Sequence, residues 1–315
     1  MESVLYDFAG VTEAAALASY PWIGRGKKIK ADDAATCAMR ERLNRMSIKG
    51  SIVIGEGEMD EAPMLYIGEA VGQGGGPELD IAVDPLEGTN LTVTGSSHSI
   101  AVIAAAPKGM LLQAPDMYMD KIAVGPKAAG QIDIEAPLPV NMRAVAAATG
   151  KRVDELCVMI QNRERHKELV RTVLDQGARV RLFDDGDVSF SIAAALDLGL
   201  ADLFVGIGGS PEGVISAVAL RCLGGEMQAR LLPANATEFE RCVGMGLSHP
   251  GRPLGMEQLT GSGDCLFAAT GITEGLFLRG VRESPGGRST HTLLLHSKGR
   301  TKRFIETHHS SSLKN

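Results

Sequence analysis

The chain has 315 residues and a mass of 33.2 kDa, is 44% apolar, and carries a formal charge of -6 at pH 7. That length and apolar content are enough for one large or two medium domains with real cores, which excludes a disordered chain. The acidic balance, without a basic run, excludes a protein that grips nucleic acid through many phosphate contacts, so the expected partner is a small molecule.

The first residues, Met1 to Gly10, carry acids in place of a basic leader. No apolar run approaches the roughly 18 residues of a membrane span. The expectation is a soluble, cytoplasmic protein with no membrane partner. Five cysteines, Cys37, Cys157, Cys222, Cys242 and Cys265, are odd in number and form no CxxC pair, which fits a reducing compartment.

Residues 33–46 place Ala35, Met39, Leu43 and Met46 on one helical stripe, and residues 51–54 are a β-branched run that stops at Gly55. Residues 61–71 predict a helix and 79–83 a strand, with the glycine-rich loop 72–77 between them, and 99–106 predict another strand. Farther on the pattern alternates, with strand 157–160, helix 165–175, strand 179–183, helix 188–197 and strand 202–205. The expected class is α/β, an α+β N-terminal part followed by a parallel-rich C-terminal part. Thr149-Gly150-Lys151 ends a helix, which sets a boundary between domains 1–155 and 156–315.

The chemistry concentrates at strand ends. Asp84-Pro85-Leu86-Glu87-Gly88-Thr89-Asn90 follows the strand 79–83, and strand edges carry sites in α/β proteins. Two carboxylates across a Pro-stiffened turn suit Mg²⁺ or Mn²⁺. Gly88 lets a phosphate approach the main chain, and a helix starting there would turn free N–H groups toward it. The bland alternative is an Asp-Pro turn with solvated acids. A second cluster, Gly55-Glu56-Gly57-Glu58-Met59-Asp60-Glu61, follows the strand 51–54, and such crowded like charges call for a cation. Asp60 and Glu61 also suit a helix cap. A third, Gly208-Gly209-Ser210-Pro211-Glu212-Gly213, opens an apolar helix with Glu212 in its first turn, where a carboxylate serves as metal ligand or plain cap.

Together these motifs resemble the class II fructose-1,6-bisphosphatases of the lithium-sensitive sugar and inositol phosphatase superfamily. The likeness runs from Gly24-Arg25-Gly26 and Ala31-Asp32 through the block Gly55 to Glu69, the Asp84 motif and Asp185-Gly186-Asp187 to Gly209–Gly213. It implies a layered αβαβα sandwich whose first domain binds metal and whose second carries sugar and distal-phosphate contacts. It also implies two or more Mn²⁺ or Mg²⁺ ions on Asp32, Glu56, Asp84, Glu87 and Glu212, and catalytic roles for Thr89, Asp84 and Glu56. By the same resemblance substrate meets Glu87, Gly88, Thr89, Tyr118, Arg163, Glu164, Arg165, Asp185, Gly186, Asp187 and Gly209. Tyr118 and the arginines would hold the phosphate that stays, while Asp185 and Asp187 take sugar hydroxyls.

The family carries Lys-Pro-Arg where this chain has Arg163-Glu164-Arg165. The implied reaction is hydrolysis of the 1-phosphate of fructose 1,6-bisphosphate in gluconeogenesis, by a homo-oligomer, dimer or tetramer. The alternatives are an enzyme that also takes sedoheptulose 1,7-bisphosphate, an inositol monophosphatase, and a non-catalytic sugar-phosphate regulator.

Overall fold

The computed structural model describes residues 2–57 and 64–310. The chain forms two compact units, Met1–Gly109 with Gly263–Asn315, and Met110–Ser262. The boundary expected at 155/156 falls inside the second of these.

The first stretch supplies α1 (Leu5–Ser19), α2 (Lys28–Leu43), β1 (Lys49–Ile54), β2 (Ala70–Val71), β3 (Glu78–Glu87), α3 (Thr89–Thr94) and β4 (Ile100–Pro107). The second unit follows with β5 (Tyr118–Val124), α4 (Leu138–Thr149), β6 (Cys157–Gln161), α5 (Lys167–Asp175), β7 (Arg179–Phe183), α6 (Asp187–Ile192), β8 (Leu203–Gly209), α7 (Ser210–Leu223), β9 (Glu226–Leu231), α8 (Ala236–Gly244) and α9 (Met256–Thr260). The chain then returns to the first unit with β10 (Leu266–Gly271), β11 (Arg282–Ser284), β12 (Gly287–His296) and β13 (Thr301–Ser310). Among the described residues no helix is long and apolar enough to cross a membrane.

In the first unit the strand order is β11-β12-β10-β4-β3-β1-β2, with β13 paired to β12 as a long edge. Only β1 and β3 run parallel among these pairs. One core joins Phe8, Val11 and Ala15 of α1 and Ala35 and Met39 of α2 to Ile52, Ile81, Val83 and Ile103 of the sheet. Burying an aliphatic side chain of this size contributes about 1.5–3 kcal/mol, so this packing pins α2 and the ends of β1 and β3.

Several expected elements shift. The helix expected over 33–46 begins at Lys28 and ends at Leu43. Residues 64–71 of the helix expected over 61–71 form turns and β2, because Leu65 and Gly68 take φ of 53° and 95°, outside helical geometry; residues 61–63 lie outside the described ones. The Asp84 motif is no turn after a strand, since β3 runs on to Glu87. Pro85 is accommodated by a bulge: from Asp84 to Glu87 β3 advances three residues while its partner β4 steps two, from Val102 to Ile100.

In the second unit the order is β7-β6-β8-β5-β9. β6 lies parallel to β7 and β8, as helical crossovers dictate. β5, inserted between β8 and β9, is antiparallel to both, so the sheet is mixed instead of parallel-rich. Ile122, Val158, Ile160 and Val205 pack with Met142 and Val145 of α4 and Val173 of α5 on one face. The strand expected over 202–205 extends to Gly209, which puts the Gly206–Gly209 run inside β8. The helix expected over 188–197 is α6 followed by a 3-10 turn, Ala193–Ala195.

Candidate active site

In the first unit three neighbouring elements gather the acids. α2 carries Asp32 and, one turn on, Thr36; Glu56 follows β1; Asp84 and Glu87 lie on either side of the β3 bulge. Thr89 opens α3 directly after Gly88, whose φ of 84° is left-handed and turns the chain from strand to helix. The Thr89 hydroxyl donates to Asp32 Oδ1 at 2.9 Å, with the Leu86 carbonyl at 3.2 Å. Asp84 Oδ1 accepts from the Leu86 N–H at 3.1 Å, and Glu87 is buried. Gly55 is required by close approach, since a Cβ there would stand 1.9 Å from the Leu65 carbonyl oxygen.

Two of these carboxyls, Asp32 and Glu56, resist ionisation. Burial raises the Asp32 carboxyl, with the Asp33 charge adding to it and the Thr89 hydrogen bond and Lys28 opposing. Glu56 presents surface to solvent, yet the protein around its carboxyl, and after that the Asp32 charge, push it up to about 7, against a hydrogen bond from Thr36. Among the described residues no group of three or more His, Cys, Asp or Glu is arranged to hold an ion by itself. Glu58, Asp60 and Glu61 of the second acidic cluster lie outside the described residues.

The second unit carries the rest. Tyr118, at the start of β5, is 54% exposed, and the Arg165 guanidinium lies 4.8 Å from its ring centre. Arg165 donates from Nε and Nη2 to the Ile207 carbonyl, at 3.1 and 2.7 Å, and from Nη2 to Gln161 Oε1 at 3.1 Å. A cation held this way over a phenol face is fixed in aim while part of its fork stays open. Arg163 and Glu164 are exposed; Arg163 donates to the Asn162 carbonyl and Glu164 pairs with Lys167. Asp185 Oδ1 accepts from the Gly186 N–H, and Gly186 enters α6 with a φ of 92°. Asp187 is buried against Lys121, whose ammonium also donates to the Gly209 carbonyl at 3.0 Å. Glu212 is half-buried with its carboxylate enclosed; desolvation raises that carboxyl, Lys121 opposes and Asp187 adds. Among the described residues its Oε2 has no hydrogen-bond partner.

Three residues escaped the sequence reading. Thr36 lies four residues after Asp32, the spacing that puts both on one helix face. Lys121 interrupts the apolar strand Met119–Val124 at an inward position, a signal that strand alternation carries. His166 gives none: buried among polar neighbours, it donates from Nδ1 to the Gln161 carbonyl and accepts the Ile207 N–H on Nε2, both at 2.8 Å, tying the Arg165 turn to β8.

A family model described as bacterial fructose-1,6-bisphosphatase, glpX-encoded, matches residues 2–309. The chain is 46% identical to a protein of Haemophilus influenzae named fructose-1,6-bisphosphatase class 2, over 96% of this chain and 95% of that one. It is likewise 46% identical to Escherichia coli K12 fructose-1,6-bisphosphatase 1 class 2, over 96% of this chain and 94% of the relative.

Proposed function

The chain belongs to the bacterial fructose-1,6-bisphosphatase family, and from that premise we propose that it is a phosphoric monoester hydrolase in which Asp32, Glu56, Asp84 and Glu87 hold Mn²⁺ or Mg²⁺, two or more ions per site, beside Thr89. Its reaction is the hydrolysis of fructose 1,6-bisphosphate at the 1-phosphate, giving fructose 6-phosphate and phosphate. The observation that carries the reading is the Thr89 hydroxyl seated on Asp32 while Glu56 lies in the field of the same carboxylate.

The donor set fits a hard divalent cation: all four groups offer carboxylate oxygens, and two of them are raised by burial and then by a neighbouring acid, Asp33 for Asp32 and Asp32 for Glu56, which a cation would relieve. Glu212 is proposed as a further ligand on its own unit's geometry, a buried carboxylate whose Oε2 has no hydrogen-bond partner among the described residues. When bound, a divalent ion neutralises the phosphoryl oxygens and lowers the pKa of the attacking water.

The chain's own groups do the rest. With its proton committed to Asp32 or to the Leu86 carbonyl, Thr89 Oγ1 turns lone pairs outward and accepts from the attacking water, which fixes that water's orientation. The free part of the Arg165 fork, with the Tyr118 hydroxyl and Arg163, suits the phosphate that is not cleaved. Asp185, Asp187 and the Gly209 carbonyl suit sugar hydroxyls as acceptors. Glu87, Gly88, Glu164 and Gly186 complete the proposed substrate contacts. A cytoplasmic, gluconeogenic role and a dimeric or tetrameric form are proposed on the family likeness.

The test is phosphate release by protein stripped of metal and then given Mn²⁺ or Mg²⁺, with fructose 1,6-bisphosphate, sedoheptulose 1,7-bisphosphate and inositol 1-phosphate in parallel. Metal-restored turnover of fructose 1,6-bisphosphate is the expected result. Preference for inositol 1-phosphate overturns the substrate, and full turnover by the stripped protein overturns the metal assignment.

A further inference from the structure

Lys121 is the one strongly charged group on the inward face of β5, and its side chain is 1% exposed. An ammonium this deep is tolerated only when paired and hydrogen-bonded. Here it reaches the Asp187 carboxylate at the start of α6 and the carbonyl of Gly209 at the end of β8, and Glu212 in the first turn of α7 lies within its field. The surrounding backbone is cut to this arrangement. A Cβ at Gly208 would stand 2.5 Å from Asp187 Oδ2 and 2.9 Å from Lys121 Nζ, one at Gly209 2.0 Å from Glu212 Oε2, and one at Gly213 3.2 Å from Lys121 Cδ. Gly208 and Gly209 are therefore explained by the charges they enclose, whereas Gly213 first makes room for Met119 Sδ, 2.6 Å from a Cβ there.

A buried ion pair adds little stability over apolar residues of the same volume, whereas it holds its members in one geometry. We propose that Lys121 is a positioning residue for the substrate, fixing the Asp187 carboxylate in the orientation that receives the sugar hydroxyls. This rests on the assignment of Asp187 to substrate made above. Lys121 touches no reacting atom; it acts through Asp187.

The experiment is a cycle of Lys121→Met, Asp187→Asn and the double variant, assayed with fructose 1,6-bisphosphate at saturating Mn²⁺ and followed by thermal unfolding. Lys121→Met is expected to raise KM roughly tenfold with kcat within about threefold, and the double variant to match Asp187→Asn within about twofold. A lowered unfolding temperature with an unchanged KM reduces Lys121 to a structural ion pair and overturns the proposal. A double variant that multiplies the two single effects also overturns it, because Lys121 would then act independently of Asp187. If Asp187→Asn raises KM and Lys121→Met does not, the Lys121 proposal alone fails; if Asp187→Asn leaves KM unchanged, the substrate assignment beneath it fails. Should Lys121→Met not fold, the double variant, which removes both charges together, is compared with Asp187→Asn: equal KM supports the proposal, and a KM more than about fivefold higher defeats it.

Discussion

The acid clusters of the two units solve the same electrostatic problem differently. In the first unit Asp32 and Glu56 repel each other and both carboxyls are raised, with Lys28 a weak opposing charge on Asp32. In the second, Asp187 is paired with a lysine from within the sheet, while Glu212, the proposed metal ligand, feels only that lysine's field and stays raised by burial. A group that must take up a cation is best left short of one, and a group that must hold still is best given its own. The first cluster is accordingly read as chemistry and the second as grip, which separates their expected kinetic effects.

The largest effect belongs to Asp84, at the bulge of β3. Asp84→Ala is expected to lower kcat by roughly a thousandfold or more while circular dichroism and unfolding temperature stay near wild type; near-normal turnover would remove Asp84 from the site. Thr89→Val, which keeps the shape and loses the hydroxyl, should lower kcat by about a hundredfold with little change in KM. A change confined to KM would move Thr89 from chemistry to grip.

On the other side of the comparison, Arg165→Lys keeps the charge but loses the fork that spans Ile207 and Gln161. KM for fructose 1,6-bisphosphate should rise about tenfold at nearly constant kcat. A fall in kcat alone would erase the division between the units. The smallest effect is on stability. A carboxyl raised by folding favours the folded state below its ordinary range and loses that contribution as pH rises through its folded value, about 7 for Glu56. Metal-free protein should therefore lose stability in chemical denaturation between about pH 4.5 and 7, and Glu56→Gln should flatten that slope. An unchanged slope in Glu56→Gln would show that Glu56 is not its source.

β6, α5 and β8 were legible in the sequence as buried apolar runs on either side of an amphipathic helix. The Asp84 motif was misread as shape: Pro-Leu after a strand signals a turn, and only the pairing of β3 with β4 shows that the strand absorbs it as a bulge. The helix expected over 61–71 is overridden in its described part by the positive φ of Leu65 and Gly68. Tyr118 and Arg165 are 47 residues apart in the sequence, and their stacking follows from the antiparallel insertion of β5, which no local pattern announces. Asp32 and Thr89 are likewise 57 residues apart, joined only when α2 packs on the sheet.

The return of the chain to its first unit bears on synthesis. β4 has β10 as a neighbour, Ala101 opposite Thr270, so this sheet is finished only after the intervening unit has been made. During translation Met110–Ser262 can close on contacts of its own, whereas α1, α2 and the strands up to β4 must wait with an apolar edge uncovered. The nascent N-terminal segment is thus the part of the molecule most in need of chaperone shelter, and ribosomal pausing before residue 263 would lengthen its exposure.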